Sequence, residues 1–187
     1  MRIILASGSP RRRELLEGAG LDFEVIPSSA EEVHDETMPP EMLCELNATI
    51  KAKEVAKDHP DAVVIGSDTL VFIDDMPLGK PADMEEAIAM LRRLSGRRHV
   101  VCTAVCLTQQ RGAQVIFHDC TEVEFKELTD DNITTYLERA NPLDKAGAYG
   151  IQEHGELIVE GIVGRFDTVM GLPVDPVMEI LTDWPDQ

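Results

Sequence analysis

Three arginines near the start of the chain are of a type and spacing that could bind phosphate. The stretch Ser9-Pro10-Arg11-Arg12-Arg13 follows a short apolar run. Serine before proline is the usual order of an N-cap and a first helical residue, so we expect a helix to begin at Pro10. The arginines then crowd its first turn, where the helix dipole is already positive, and a bound anion would remove that conflict. The alternative is a solvated basic turn.

A second segment carries the candidate catalytic acid. Gly66-Ser67-Asp68-Thr69 comes directly after the apolar residues 63–65. This pattern predicts a buried strand that ends here and displays an acid and two hydroxyls at its end, where ligand clefts of α/β proteins lie. Asp68 is the candidate catalytic carboxylate, and a turn aspartate is the alternative.

Two later segments could complete a ligand site. Lys80 lies between Gly79 and Pro81, in a stiff turn from which it could reach a phosphate or simply extend into solvent. Residues 144–152, with the sequence DKAGAYGIQ, contain small residues that allow close approach of the backbone to a ligand. The segment ends in the carboxamide of Gln152. Core packing would also explain its glycines.

Composition excludes several classes of protein. A net charge of −18 over 187 residues disfavours a nucleic-acid surface, so a polyanion must find a local basic pocket. No apolar run approaches the length of a membrane span, and the N-terminus lacks a secretory h-region, so we expect a cytoplasmic protein that binds no membrane. The cysteines have no metal-binding spacing and are interpreted as reduced: Cys44, Cys102, Cys106 and Cys120.

Helices and strands alternate along the chain, which indicates a mixed α/β fold in a single domain, 1–187, of two lobes. The predicted helices are 10–19, 40–58, 83–94, 130–140 and 174–183. The predicted strands are 2–6, 62–66, 69–73, 99–108, 113–118, 121–126 and 156–162. Asp83 with Glu86 resembles a capping box at the start of the third helix, and Gly96 is a suitable stop.

Taken together, the motifs resemble one family over nearly the whole chain. They are Ser9-Pro10-Arg11-Arg12, Glu31-Glu32, Gly66-Ser67-Asp68-Thr69, Gly79-Lys80-Pro81, residues 144–152, and Met170-Gly171-Leu172-Pro173. Their order and spacing resemble the Maf family of nucleoside triphosphate pyrophosphatases. The segment from Tyr149 to Gln152 is similar to the dTTP/UTP pyrophosphatase branch. Glu153 and the segment Arg165-Phe166-Asp167 depart from the family pattern, and the resemblance places both at the rim of the base pocket.

The resemblance implies a fold and a set of roles. The fold would be Maf/ITPase-like, a two-lobed mixed sheet flanked by helices with a central cleft, often paired as a homodimer. Asp68 would be the proton acceptor. The specificity positions would be Arg12, Thr69 and Gln152, and the further active-site residues Glu32 and Lys80. Cleansing of nucleotide pools and arrest of cell division are both associated with the family.

Residue chemistry favours the same reaction. Cleavage between the α- and β-phosphates needs a base for the attacking water and cations for the departing pyrophosphate. Ser9, Arg11 and Arg12 would bind the triphosphate from one side and Lys80 from the other. A Mg²⁺ or Mn²⁺ ion bound by carboxylates such as Glu32 and Asp68, together with phosphate oxygens, would activate the water.

Two questions have more than one answer from the sequence: which base Gln152 recognises, and whether the protein is an enzyme. The amide of Gln152 can accept from N3–H and donate to O4 of uracil or thymine, but flipped over it matches cytosine. A neighbour must therefore fix its orientation. The alternative function is a nucleotide-binding regulator of cell division that uses the same pocket without turnover. A P-loop enzyme is disfavoured because the motif is missing from the sequence.

Overall fold

Strands and helices alternate in the computed structural model, which describes residues 1–35 and 37–185. The strands are β1 (Arg2–Leu5), β2 (Glu24–Val25), β3 (Ala62–Ile73), β4 (Met76–Leu78), β5 (Arg98–Thr108), β6 (Gln114–Phe125) and β7 (Val159–Val163). The helices are α1 (Pro10–Gly18), α2 (Pro40–Ala56), α3 (Met84–Leu94), α4 (Asp130–Leu137), α5 (Phe166–Met170) and α6 (Val174–Thr182). Short 3₁₀ turns occur at Ala146–Ala148 and Gly155–Leu157. No helix of the described ranges is long and apolar enough to cross a bilayer.

Within the described ranges, the strands form one mixed sheet of seven strands in the order β2-β1-β3-β5-β6-β7, with β4 paired to β3. β1 is parallel to both β2 and β3, with Leu5 opposite Val25 on one side and Ile65 on the other. β4 and β7 are antiparallel to their partners β3 and β6. The predicted mixed α/β architecture with flanking helices is confirmed.

The predicted helices are confirmed to within three residues at each end, because local signals define their starts. Asp83 accepts a hydrogen bond from the Glu86 N–H at 2.9 Å, and Gly96 follows α3 with a φ of +66°. Pro10 begins α1 as expected. Ser9 stands at the N-cap position with an extended backbone, but its side chain makes no capping hydrogen bond.

Two predicted strand breaks were wrong. Residues 62–66 and 69–73 form the single strand β3, and 113–118 and 121–126 form the single strand β6. The polar residues of the first expected break, Ser67 and Asp68, are buried and hydrogen-bonded to the Gly171 carbonyl and to Lys51. The second expected break, at Asp119 and Cys120, continues in β6 as a strand that is partly exposed. The last predicted strand, 156–162, is shifted to 159–163. Three elements, β2, β4 and α5, were not predicted, because they are too short to show a hydrophobic periodicity in the sequence.

The chain divides into two compact units. Of the described residues, the first comprises 1–35, 37–68, 103–119 and 171–185, and the second comprises 69–102 and 120–170. The first has an apolar core of β1, α1, β3, β5 and α6 residues, including Leu5, Leu16, Ile65, Leu107 and Leu181. The second has its own core, in which Leu91, Leu94, Phe125, Tyr136 and Ile158 are buried.

Candidate active site

Asp68 lies inside β3 rather than at its end, because the strand continues to Ile73 and pairs there with β4. The expectation of a strand end before Asp68 was therefore wrong. It is the neighbouring strand that ends: Leu5 pairs with Ile65, and the Ala6 N–H then donates to the Ile65 carbonyl at 2.8 Å. Asp68, only 5 % exposed, lies three residues beyond that point. Its carboxylate therefore lies past the carboxyl end of β1, and the turn-aspartate alternative does not apply.

A lysine joins the two predicted carboxylates. Lys51 Nζ donates to Asp68 Oδ1 at 2.7 Å and to Glu32 Oε1 at 2.6 Å. The side chain of Lys51 is 14 % exposed and that of Asp68 is 7 % exposed, whereas the side chain of Glu32 is 40 % exposed. The Lys51–Asp68 half of this ion triplet is thus buried, and the Glu32 half faces solvent.

Lys51 is not among the site residues that were predicted from the sequence. A signal was available. Lys51 lies three and seven residues after Ala48 and Cys44 and four residues before Val55, so it shares a helix stripe with small and apolar residues. A lysine on such a stripe must reach a buried acceptor, since a buried ammonium group needs a partner.

A close contact between α2 and β3 sets the position of this lysine. A Cβ atom on Gly66 would lie 2.7 Å from the Ala52 nitrogen and 2.8 Å from the Ala52 Cβ, and closer still to the Ala48 carbonyl. The Cys44 thiol also donates to the Asp68 carbonyl at 3.1 Å. The glycine and the two alanines let helix and strand approach until the Lys51 side chain reaches Asp68.

One oxygen of the Asp68 carboxylate lacks a hydrogen-bond partner among the described residues. Asp68 Oδ2 is buried and makes no hydrogen bond to any residue within 1–35 and 37–185. An orphaned carboxylate oxygen beside a second carboxylate, that of Glu32, fits the donor set of a hard divalent ion, which often takes one or two carboxylates plus substrate oxygens. No group of three or more His, Cys, Asp or Glu side chains suited to a metal occurs in the described part of the chain. A divalent ion at this site would therefore have Asp68 and Glu32 as its protein ligands.

Arg12 is held in the same unit by several acceptors. Its Nε donates to the Gly171 carbonyl at 2.8 Å and its Nη1 donates to Ser7 Oγ at 3.1 Å. The Gly171 carbonyl also accepts from the Ser67 hydroxyl at 3.0 Å. Burial lowers the pKa of the Arg12 guanidinium, and the charge of Asp68 acts in the opposite direction. Arg12 and Asp68 therefore belong to one electrostatic site.

The remaining residues of the basic helix start differ in exposure. Ser9 and Arg11 are half-buried, and the Ser9 N–H donates to Ser7 Oγ at 3.3 Å. Arg13 is exposed and pairs with Glu17 one turn later, at 2.7 Å. The solvated-surface interpretation therefore suits Arg13, and the phosphate interpretation is kept for Arg11 and Arg12.

The other predicted site residues belong to the second unit. Thr69 is half-buried on β3, and Lys80 and Gln152 are exposed. The loops that carry Lys80 and Gln152 are joined, since the Gly147 N–H donates to the Gly79 carbonyl at 3.1 Å.

A buried lysine stiffens the loop that carries Gln152. Lys145 is 3 % exposed, and its Nζ lies 2.7 Å from Asp144 Oδ1, 2.7 Å from the Asn141 carbonyl and 3.0 Å from Glu153 Oε2. Its stem packs so closely on Gly150 that a Cβ there would lie 2.8 Å from Lys145 Cε. Glu153, which departs from the family pattern, thus helps to neutralise a buried ammonium group.

Two tyrosines anchor the same loop to the core of the second unit. The Gly150 N–H donates to the Tyr136 hydroxyl at 2.9 Å, and the Tyr149 hydroxyl is hydrogen-bonded to His99 Nε2 at 2.8 Å. Phe125 makes edge-to-face contacts with both the His99 and the Tyr149 ring. Burial lowers the pKa of His99 to about 4 and raises the pKa of Tyr149. The His99 ring is therefore neutral at physiological pH, which suits its bond to the Tyr149 hydroxyl.

Comparison with known proteins gives relatives over nearly the full length of the chain. A protein of Akkermansia muciniphila named dTTP/UTP pyrophosphatase is 52 % identical over 179 residues, covering 96 % of this chain and 94 % of the relative. Proteins of the same name from Bacillus velezensis and Aquifex aeolicus are 49 % and 45 % identical, each covering 98 % of this chain and 96 % and 95 % of the relative.

Solved structures share the fold at low identity. The Staphylococcus aureus Ham1 protein aligns with a TM-score of 0.59 at 14 % identity, covering 99 % of this chain and 100 % of that one. A HAM1 protein from Coxiella burnetii aligns with a TM-score of 0.56 at 19 % identity, covering 98 % and 99 %. The family profile described as Maf-like protein matches residues 2–184. With that match and relatives at this identity, the chain belongs to the Maf-like protein family.

Proposed function

We propose that this protein hydrolyses dTTP and UTP to the nucleoside monophosphate and pyrophosphate. The names of the full-length relatives support this substrate class. The observation that carries the proposal is the buried carboxylate of Asp68, held by Lys51 beside Glu32 and within electrostatic range of Arg12. Such a site offers a base for water next to cations for phosphate.

The local charge makes the site compatible with a triphosphate, although the whole chain carries −18. Asp68 and Glu32 contribute two negative charges, and Lys51 and Arg12 contribute two positive ones. The four side chains therefore sum to zero. Arg11 at the start of α1 and the N–H groups of the first turn add positive potential, which favours an anion there.

Asp68 acts in the proposed mechanism as the base that accepts the proton of the attacking water. Lys51 fixes Oδ1 and so leaves Oδ2 as the oxygen that can take the proton or a metal ion. Arg12, bound to the Gly171 carbonyl and the Ser7 hydroxyl, is held in one orientation before the phosphate arrives. Such preorganised charge stabilises the charge that develops during cleavage.

A divalent cation, Mg²⁺ or Mn²⁺, is the proposed cofactor, and Asp68 and Glu32 are the residues that would hold it. When bound, it would lower the pKa of a coordinated water and neutralise phosphate charge.

Base selection is assigned to Gln152, with Arg12 and Thr69 as further specificity positions and Lys80 as a phosphate ligand. These four roles rest on the resemblance to the family and on side-chain chemistry. The anchored loop around Gln152 supports the role of its amide in one respect, because discrimination requires a backbone that does not adjust to the wrong base. Modified uridine triphosphates are proposed as additional substrates, whose removal would keep them out of nucleic acid. A homodimer and a cytoplasmic location stay predictions.

A panel of nucleoside triphosphates tests the proposed reaction. Each is incubated with the protein and Mg²⁺ or Mn²⁺, and the products are separated by chromatography. We expect monophosphate and pyrophosphate, with dTTP and UTP turned over faster than CTP and ATP. Diphosphate with inorganic phosphate would contradict the proposed bond cleavage. Tight nucleotide binding without any product would favour the non-catalytic regulator instead.

A further inference from the structure

The segment that carries Glu32 has no helix or strand of its own. Residues 26–35 lie between β2 and α2 without regular structure. Glu32 nevertheless has to meet Lys51 at 2.6 Å. Something outside the segment must therefore fix its backbone, because an unsupported loop would hold a partly exposed carboxylate poorly.

Three residues on one face of α2 contact this segment in turn. Asn47, Lys51 and Glu54 are spaced i, i+4 and i+7, which places them on one side of the helix. They contact, respectively, the backbone of Val33, the carboxylate of Glu32, and the Ser29 hydroxyl at 2.9 Å. The contacts run in opposite directions along the two segments, so the loop lies antiparallel against the helix.

Asn47 makes the contact closest to Glu32. Its Oδ1 accepts from the Val33 N–H at 2.8 Å and its Nδ2 donates to the Val33 carbonyl at 3.1 Å. The side chain thus pairs with both backbone groups of one residue, as a neighbouring strand would. Asn47 is only 2 % exposed, so water does not compete easily for these bonds.

The chemistry of this contact is specific to a short carboxamide. Both a donor and an acceptor are needed at a fixed separation, and the carboxylate of aspartate or the side chain of leucine would lose one or both. The Val33 N–H belongs to the peptide that joins Glu32 to Val33, so holding it restricts the directions in which the Glu32 side chain can leave the backbone.

We infer that Asn47 is a positioning residue for the active site, which holds the Val33 backbone so that Glu32 meets Lys51 and Asp68. The inference rests on the proposed function, in which Glu32 takes part in catalysis. Asn47 touches neither substrate nor reacting atoms in this scheme and acts through Glu32 alone.

The first measurement needs no substrate. Amide hydrogen exchange at Val33 is followed by NMR in the parent protein and in Asn47→Leu, which keeps the side-chain volume and removes both hydrogen bonds. We expect exchange at Val33 to accelerate by about tenfold or more, while core amides such as that of Ile65 stay protected. Unchanged protection at Val33 would overturn the inference. Asn47→Ala is the second variant, in case the leucine disturbs packing.

The second measurement is a double-mutant cycle on kcat/KM with UTP. Asn47→Leu should lower kcat/KM by about tenfold, the size typical of groups that orient a ligating carboxylate. In a Glu32→Gln background the same change should lower it less than about twofold, because the side chain it orients is no longer a carboxylate. Ser29→Ala, which loosens the same loop at its contact with Glu54, is the matched control and should leave kcat/KM within about twofold.

The outcomes separate the inference from the proposed function. If Glu32→Gln keeps the parental kcat/KM, the proposed role of Glu32 fails and Asn47 has no catalytic consequence. If Glu32→Gln is impaired but Asn47→Leu is not, the positioning role alone is wrong. Equal loss from Asn47→Leu in both backgrounds would likewise overturn it, because Asn47 would then act on general stability and not through Glu32.

Discussion

Replacing Lys51 by methionine should destabilise the protein mainly through Asp68. The substitution keeps most of the stem and removes the ammonium group that contacts both carboxylates. Removing one partner of a buried ion pair costs about 3–5 kcal/mol, because the other charge stays buried without compensation. Glu32, at 40 % side-chain exposure, can regain water, so its half of the triplet should cost less than about 1 kcal/mol.

Urea unfolding, monitored by the fluorescence of Trp184, measures this loss in the free energy of unfolding. Trp184 is the only tryptophan of the sequence, is buried, and belongs to the same unit as Lys51 and Asp68. Lys51→Met should lower the free energy of unfolding by about 3 kcal/mol at an unchanged m-value. Lys53→Met, at an exposed position of the same helix, is the control and should stay within about 0.5 kcal/mol of the parent.

A second substitution decides whether charge is the cause. Adding Asp68→Asn to Lys51→Met should recover half or more of the lost free energy, because no uncompensated buried charge then remains. Adding Glu32→Gln to Lys51→Met instead should recover little of the lost free energy of unfolding, because Glu32 is already partly exposed to water. If the variant with Asp68→Asn is no more stable than Lys51→Met alone, lost packing of the lysine stem explains the result and the electrostatic reasoning is wrong.

Substitutions and pH changes elsewhere give further expectations. Asp68→Asn should slow UTP hydrolysis by about a hundredfold or more, while metal-free calorimetry shows nucleotide binding unchanged or tighter; a parental rate would remove Asp68 as the base. Gln152→Ala should reduce the ratio of kcat/KM for UTP to that for CTP by a larger factor than it reduces the rate of UTP turnover. If the substitution slows all substrates by the same factor, Gln152 has a structural role instead. Because the pKa of His99 is lowered to about 4, the unfolded chain takes up a proton that the folded chain refuses, and stability should fall by about 3 kcal/mol between roughly pH 6.5 and 4. Urea unfolding of His99→Gln should show a flatter pH dependence in that window. Gly66→Ala should lower the free energy of unfolding by about 1–3 kcal/mol through overpacking against α2, measured in the same way, whereas a neutral result would mean that helix and strand separate freely.

Local signals were sufficient for the helices and insufficient for the long strands. Pro10 and Asp83 define helix starts by their own backbone and side-chain chemistry, so the sequence predicts them directly. Ser67 and Asp68 look like a turn in sequence, yet they continue β3. The Ser67 hydroxyl is hydrogen-bonded to the Gly171 carbonyl and Asp68 Oδ1 to Lys51, and both partners are distant in the chain. A pattern read over a few residues contains no information about such partners.

The same distinction applies to the site. Arg12, Glu32 and Asp68 could be selected by residue type and by resemblance. The residues that orient them were not selected. Asn47 appears in sequence as an ordinary member of a helix, and the spacing of Lys51 indicates that it needs a buried acceptor without indicating which one. Only the packing of α2 on β3, and of residues 26–35 along α2, turns those side chains inward to the carboxylates.

The close contact of Gly66 with α2 leaves no room for larger side chains at this point. No residue is smaller than glycine, so a larger side chain at position 48 or 52 cannot be offset by trimming position 66 further. Enlarging a side chain at this contact can therefore only move the helix and the strand apart. Every such step moves the helix that carries Lys51 away from the strand that carries Asp68. Homologues or designed variants should therefore vary in how loosely this pair is held, with the present 2.7 Å near the lower limit.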